Sequence, residues 1–197
     1  LSLDAPATGF AFVLRAMLEQ AGLAPGDVAI ARVGGGAQRL DALLRHDQDG
    51  TLLNAPLDLV AEANGFRRLA TATATIGPYQ GVAGASRRDW AAQNRAATEG
   101  FIRAFHRGVG WIADPAHRVA AITLLMSKMR GMDRATAERA YARLLDPKTG
   151  IHRDLRIDIE GLRTVLRLRS AYALPQRELN EPQRYIDLSY LTAALRA

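Results

Sequence analysis

Leu1-Ser2-Leu3-Asp4-Ala5-Pro6-Ala7-Thr8-Gly9-Phe10 opens the chain, and how this stretch is read decides the fold. Leu1 to Asp4 has the character of a short strand. Thr8 is a residue type that caps helices, because its side-chain oxygen accepts from an otherwise unpaired first-turn N–H. Behind it Phe10, Val13, Leu14, Met17, Leu18 and Ala21 recur at three- and four-residue steps, and Gly22 ends the run. A strand followed directly by a capped amphipathic helix is the first half of an α/β unit.

The same alternation continues through the first eighty or so residues, which predicts a mostly parallel sheet. Val28 to Val33 is a nearly continuous apolar run, as expected of a strand buried on both faces. Gly34-Gly35-Gly36 turns the chain into a helix from Ala37 to about His46, with Leu40, Leu43 and Leu44 on one side. Thr51-Leu52-Leu53 follows as a third strand, Pro56 begins a helix through Leu57, Val60 and Ala61 to Gly65, and Arg68 to Thr73 is a fourth strand candidate. Beyond Gly77-Pro78, Gln80 to Ala85 is one last strand-like piece.

The remainder reads as helices. Ala97, Phe101, Ala104, Phe105, Gly108 and Trp111 form one apolar face, expected to be core, of a long helix stopping at Asp114-Pro115. Another runs from about Ala116 to Met129. Asp133, Asp158 and Asp187 each precede an apolar-periodic segment and are read as caps. The change of pattern places a boundary between the two parts near residues 75 to 86.

Composition narrows the function. The 197 residues carry 26 Lys plus Arg against 20 Asp plus Glu, a net charge of +6, and no cysteine. With no Cys, a disulfide framework, a thiolate zinc site and a cysteine nucleophile are excluded. No apolar run approaches the roughly 20 residues of a transmembrane helix. Of the basic residues 24 are Arg, scattered among acidic neighbours, and 36 alanines accompany them. That pattern reflects nucleotide composition rather than a basic stripe, so nucleic acid is not an expected partner. Leu1-Ser2-Leu3-Asp4 shows no charged segment followed by an apolar one, so no signal peptide is expected within these residues.

In open α/β sheets ligands bind outside the carboxyl ends of the strands. That rule selects Ala7-Thr8-Gly9, Gly34-Gly35-Gly36, Asn54-Ala55-Pro56 and Thr71 to Thr75, all small and mostly uncharged. A helix N-terminus with a Thr hydroxyl and backbone N–H groups suits a sulfonate, carboxylate or phosphate oxygen cluster. Tyr79 and Gln80 lie where strands give way to helices, a crossing that would bring side chains to a crevice floor. Thr8, Gly9, Asn54, Tyr79 and Gln80 are therefore the candidate ligand-binding residues.

Catalytic patterns are missing. His46, His106, His117 and His152 lack HxxxH or HExxH spacing and read as surface residues, and no metal or cofactor is expected. No GxSxG elbow occurs. The triple glycine continues as Ala37-Gln38-Arg39, which is neither a phosphate-binding nor a dinucleotide-binding loop. Asp4 and Asp58 lie near the expected crevice without a partnered base, and Arg67-Arg68 and Arg87-Arg88 read as solvated strand ends.

Six segments in order, Asp4 to Phe12, Ala42 to Pro56, Gly65 to Ala70, Gly77 to Gly81, Trp111 to Pro115 and Tyr185 to Tyr190, carry a family likeness. Together they resemble the soluble substrate-binding proteins of bacterial ABC importers, in the nitrate, sulfonate and taurine class that includes thiamine-pyrimidine-precursor-like proteins. The resemblance implies an α/β, type II periplasmic-binding-protein fold, here partial. Residues 1–78 would be the α/β second lobe, 79–86 the crossover or hinge, and 87–197 the helical C-terminal part of the first lobe. The segment that supplies most of the first lobe's sheet would be absent from this chain, so self-association is expected of it.

The function so implied is that of a receptor, periplasmic or lipid-anchored, that carries a small anionic organic ligand to a membrane permease without turnover. Thr8 and the amides near Gly9 would receive the acidic group, Asn54 a polar substituent, and Tyr79 would stack or donate. Two alternatives share the likeness. One is the effector domain of a LysR-type regulator. The other is an enzyme like the thiamine-pyrimidine synthases, whose chemistry goes with a cysteine-rich motif that this chain lacks.

Overall fold

A computed structural model describes residues 1–129 and 131–196. The chain forms two compact units, one of Leu1–Gly81 with Asp158–Pro182, the other of Val82–Ile157 with the residues from Gln183 onward.

The first unit is built on β1 (Ser2–Leu3), which pairs in parallel with β2 (Ala31–Arg32) in the register Ser2 to Ala31 and Leu3 to Arg32. On its other side Ser2 makes a single parallel bridge to Thr51. Thr51 reinforces it by donating its hydroxyl to the Ser2 carbonyl at 3.0 Å. The order is therefore β2, β1, then the strand at Thr51, and the centre is buried: Ser2 is 0% and Leu3 4% exposed.

The run Val28 to Val33 is not covered on both faces as expected. β2 is an edge strand and Ile30 is 50% exposed, because no further strand pairs outside it among the described residues. Nor is Arg68 to Thr73 a strand. Thr71 instead caps a short helix, Ala72–Ile76, by accepting from the Ala74 N–H, and Gly77 closes it at a φ of 84°. Gln80 to Ala85 likewise pairs with no strand among the described residues, and Val82 is left 80% exposed.

α1 (Gly9–Gln20) is the central helix. Thr8 caps it as expected, its Oγ1 accepting from Ala11 N–H at 3.2 Å. Ala11, Phe12, Val13, Leu14 and Ala16 are all buried. So wide an apolar sector needs two partners. One side, with Ala11 and Leu14, packs on Leu3 of the sheet. The other, with Phe12, Val13 and Ala16, meets Ile76 and Leu168.

Leu168 belongs to the helix Ile159–Tyr172, which explains why residues 158–182 return to the first unit. Residues 158–182, read from sequence within the helical stretch 87–197, are helical in Ile159–Tyr172 and group with the first unit. Two connecting helices, α2 (Gly36–Leu44) and α3 (Leu57–Ala63), complete the unit. Arg68 is not merely a solvated strand end either. Its guanidinium reaches Asp58 at 2.9 Å and Glu62 at 2.6 Å on α3.

The regular elements of the second unit are all helices among its described residues. Its longest element, Arg95–Ala113, packs against Ser189–Arg196, while Arg118–Lys128 packs against Arg134–Leu144. Ile122 and Ala137 are fully buried between the latter pair, and the Tyr141 hydroxyl donates to the Ile112 carbonyl at 2.9 Å. Asp133 caps as expected, accepting from Thr136 N–H at 2.7 Å.

The aromatic stripe does not form core. Val109 and Ala113 turn inward, whereas Phe101 is 66%, Phe105 50% and Trp111 38% exposed. Helix Arg95–Ala113 thus has two apolar sectors, and periodicity alone does not say which one the rest of the unit covers.

Candidate functional site

Thr8, Gly9, Asn54, Tyr79 and Gln80 all belong to the first unit. The strand-end segments picked out from sequence contribute differently, and the differences follow from which polar atoms are already paired.

Thr8 is heavily engaged. Besides accepting from Ala11, its hydroxyl lies 2.7 Å from Asp4 Oδ1, to which it donates, and 3.0 Å from the Ala5 carbonyl. It frames the start of α1 more than it offers a donor outward. The N–H groups of Gly9 and Phe10 are the ones left open. They precede the first intrahelical bond, Phe12 N–H to the Thr8 carbonyl at 3.1 Å, and take no partner among the described residues.

Gly9 is also where Tyr79 arrives. A Cβ on Gly9 would meet the Tyr79 hydroxyl at 3.0 Å, so the phenol tip rests beside the first turn of α1. The Tyr79 ring packs on the cluster of Phe12, Val13 and Leu168, while its hydroxyl has no hydrogen-bond partner among the described residues. Burial pushes its pKa above the ordinary tyrosine value, which keeps it a neutral donor. Two amides and one hydroxyl thus sit together at one helix start.

Gln80 has a different position. Its side-chain carbonyl accepts from the Asp158 N–H at 2.9 Å, at the start of the helix Ile159–Tyr172. Close packing continues there, since a Cβ on Gly161 would meet the Gln80 nitrogen at 2.7 Å. Asn54 is exposed, and its carbonyl accepts from Leu57 N–H at 2.9 Å at the head of α3. Its Oδ1 would lie 3.9 Å from a Cβ on Gly36.

The glycine triplet does more than turn. Gly34 has a φ of 116°, and Gln38 Oε1 folds back to accept from Gly35 N–H at 2.7 Å. At Gly36 a Cβ would meet Leu57 Cδ1 at 2.6 Å, so the Leu57 side chain of α3 rests directly against the start of α2.

Sequence reasoning missed Arg39. It is 2% exposed, donating to the Gly34 carbonyl at 2.7 Å and the Leu52 carbonyl at 3.2 Å, with its guanidinium 4.9 Å from the Phe10 ring centre. Its Nε is buried without a partner. Burial lowers its pKa and the charge of Asp4 opposes that. The available signal was its place beside Leu40 and one turn from Leu43 on the inward face of α2, where a cation is out of keeping.

Among the described residues no group of three or more His, Asp or Glu could hold a metal ion. Two recesses of the first unit lie elsewhere. One of about 660 Å³ runs along the helix Ile159–Tyr172, and one of about 320 Å³ is lined by Leu3, Pro6, Leu18, Leu23 and Ile30.

Residues 4–126, more than half of the chain, match the model of the NMT1-like family. The chain belongs to the NMT1-like family. This family is part of the nitrate-, sulfonate- and taurine-binding group of ABC substrate-binding proteins and has the periplasmic-binding-protein fold. Its members are solute-binding components of ABC transporters, usually binding proteins rather than enzymes and typically extracytoplasmic. The NMT1-like match spans Thr8, Gly9, Arg39, Asn54, Tyr79 and Gln80. No helix among the described residues is long and apolar enough to cross a membrane. No curated protein and no solved structure matches the chain.

Proposed function

We propose that this chain recognises a small anionic organic solute, a sulfonate, a nitrate- or taurine-like anion or an acidic pyrimidine precursor, for delivery to an ABC permease. The observation that carries the reading is the meeting of Tyr79 and Gly9. It collects a neutral hydroxyl and the open amides of Gly9 and Phe10 at the N-terminus of α1. Such donors suit an oxygen-rich anion, because the helix start carries partial positive charge and the bonds are charge-assisted.

Binding without turnover fits these groups. Tyr79 stays neutral over the ordinary pH range and Asp4 Oδ1 accepts from Thr8, so these two groups act as hydrogen-bonding groups. Asn54, at the end of a second strand, would take a polar substituent. Thr8 and Gln80 would hold the segments that carry the donors.

On this reading the first compact unit is the family's second lobe and residues 79–86 its return crossover. The helices of 87–157 and from 183 onward would be the first lobe's C-terminal share. The protein would work in the periplasm, free or lipid-anchored.

Calorimetry against ethanesulfonate, taurine, nitrate and a carboxylated pyrimidine tests the proposal. Binding of at least one, weakened in Tyr79→Phe and in Gly9→Ala, is expected. Consumption of a panel member would overturn it, as would binding that neither substitution alters.

A further inference from the structure

We infer that Arg39 is a positioning residue whose buried charge makes this site select an anion over a neutral solute of the same shape. The inference rests on the solute-binding reading above and adds to it a source of charge selectivity.

The guanidinium touches three segments that end at the site. It donates to Gly34, just after β2, and to Leu52, two residues before Asn54, and it lies over Phe10, next to Gly9. Moving Arg39 would therefore move the segments that carry Phe10 and Asn54, with the Gly34 turn between them. Its charge is also poorly answered. No carboxylate comes within ion-pair distance of it among the described residues, its two hydrogen bonds go to neutral carbonyls, and Nε has no partner.

A cation held at 2% exposure is desolvated and little screened by salt. Among the described residues the one acid whose field reaches it is Asp4, which keeps its charge, accepts from the Thr8 hydroxyl and offsets the guanidinium only in part, from beyond ion-pair distance. A negative ligand at the neighbouring strand ends would gain from that charge, whereas a neutral isostere would gain only the hydrogen bonds. A purely structural brace would support both ligands equally, and this difference separates the two roles.

The test titrates the full chain with ethanesulfonate and with its neutral isostere ethanesulfonamide, following the amide resonances of Gly9, Phe10 and Asn54. In the wild type the sulfonate should bind more tightly. Arg39→Met should reduce that preference by about tenfold or more, and Arg39→Lys should largely keep it. An unchanged preference in Arg39→Met, with both ligands weakened alike, would overturn the inference while leaving the site intact.

If Arg39→Met fails to fold, the wild type decides. A preference that holds between about 0.05 and 0.5 M salt supports a buried charge, and one that collapses as for exposed cations refutes it. Absence of any shift at these amides with either probe would overturn the site and the inference together.

Discussion

Gln80 and Asp158, 78 positions apart, are joined by a 2.9 Å hydrogen bond from the Asp158 N–H to the Gln80 side-chain carbonyl. This bond closes residues 158–182 onto the first unit directly beside Tyr79. Gly161 lies under the same crossing, where a Cβ would meet the Gln80 nitrogen at 2.7 Å and the Tyr79 carbonyl carbon at 3.0 Å. Both atoms are backbone and cannot rotate away. Gly161→Ala should therefore destabilise the first unit by roughly 1–3 kcal/mol. A denaturant midpoint equal to that of the wild type would refute the packing.

Tyr79→Phe separates binding from stability. The hydroxyl has no partner to lose within the described protein, so melting at neutral pH should not change. Anion affinity should fall roughly 10- to 150-fold, the range of one hydrogen bond to a charged group. The pH dependence has a definite sign. The Tyr79 pKa is raised by burial, so its contribution is fully present below the unfolded value and is lost as pH rises through the folded one. Stability should decline from about pH 10 upward, less steeply in Tyr79→Phe, as alkaline unfolding monitored by circular dichroism would show.

Thr8 is expected to act on the helix first. Thr8→Val removes the acceptor for Ala11 N–H and the donor to Asp4, at a cost of about 1 kcal/mol for the cap. Thr8→Ser keeps both groups and should melt like the wild type. If Thr8→Val instead lowers anion affinity more than Tyr79→Phe does, with an unchanged melting temperature, the hydroxyl is a direct ligand contact.

Ser2 offers a substitution that should improve the fold. It is 0% exposed and its Oγ is buried without a hydrogen-bond partner, while its backbone makes the sheet pairings. Ser2→Ala removes that unpaired polar atom, and stability should rise by about 1 kcal/mol in a chemical melt. A loss of that size would mean that the hydroxyl has a role in the core.

The open stripe on Arg95–Ala113 makes the last prediction. Phe101 and Phe105 stack with ring centres 6.3 Å apart, at 66% and 50% exposure. Replacing both by Ser should leave the melting temperature nearly unchanged, while binding of a hydrophobic dye and concentration-dependent light scattering both decrease. A large loss of stability would show that these rings are covered in solution.

What the sequence determined by itself is local. Thr8 and Asp133 cap where they were expected, because the cap bond closes over three residues. Gly22 and Gly65, with φ of 79° and 86°, end their helices because a side chain is disfavoured there. Strand ends followed by small polar residues also singled out Gly9 and Asn54 as candidates, and the change of pattern near residues 75 to 86 singled out Tyr79. Only the tertiary structure decided the rest, since those outcomes depend on partners far along the chain. β2 became an edge because nothing among the described residues pairs outside it. Phe12 required a second cover for α1, and Leu168, more than 150 residues away, supplies it. The inward sector of Arg95–Ala113 was chosen by its neighbours, and Arg39 became a buried charge only when Gly34, Leu52 and Phe10 closed around it. Hydrophobic periodicity records that a side chain prefers burial, but not which of two apolar faces finds a partner.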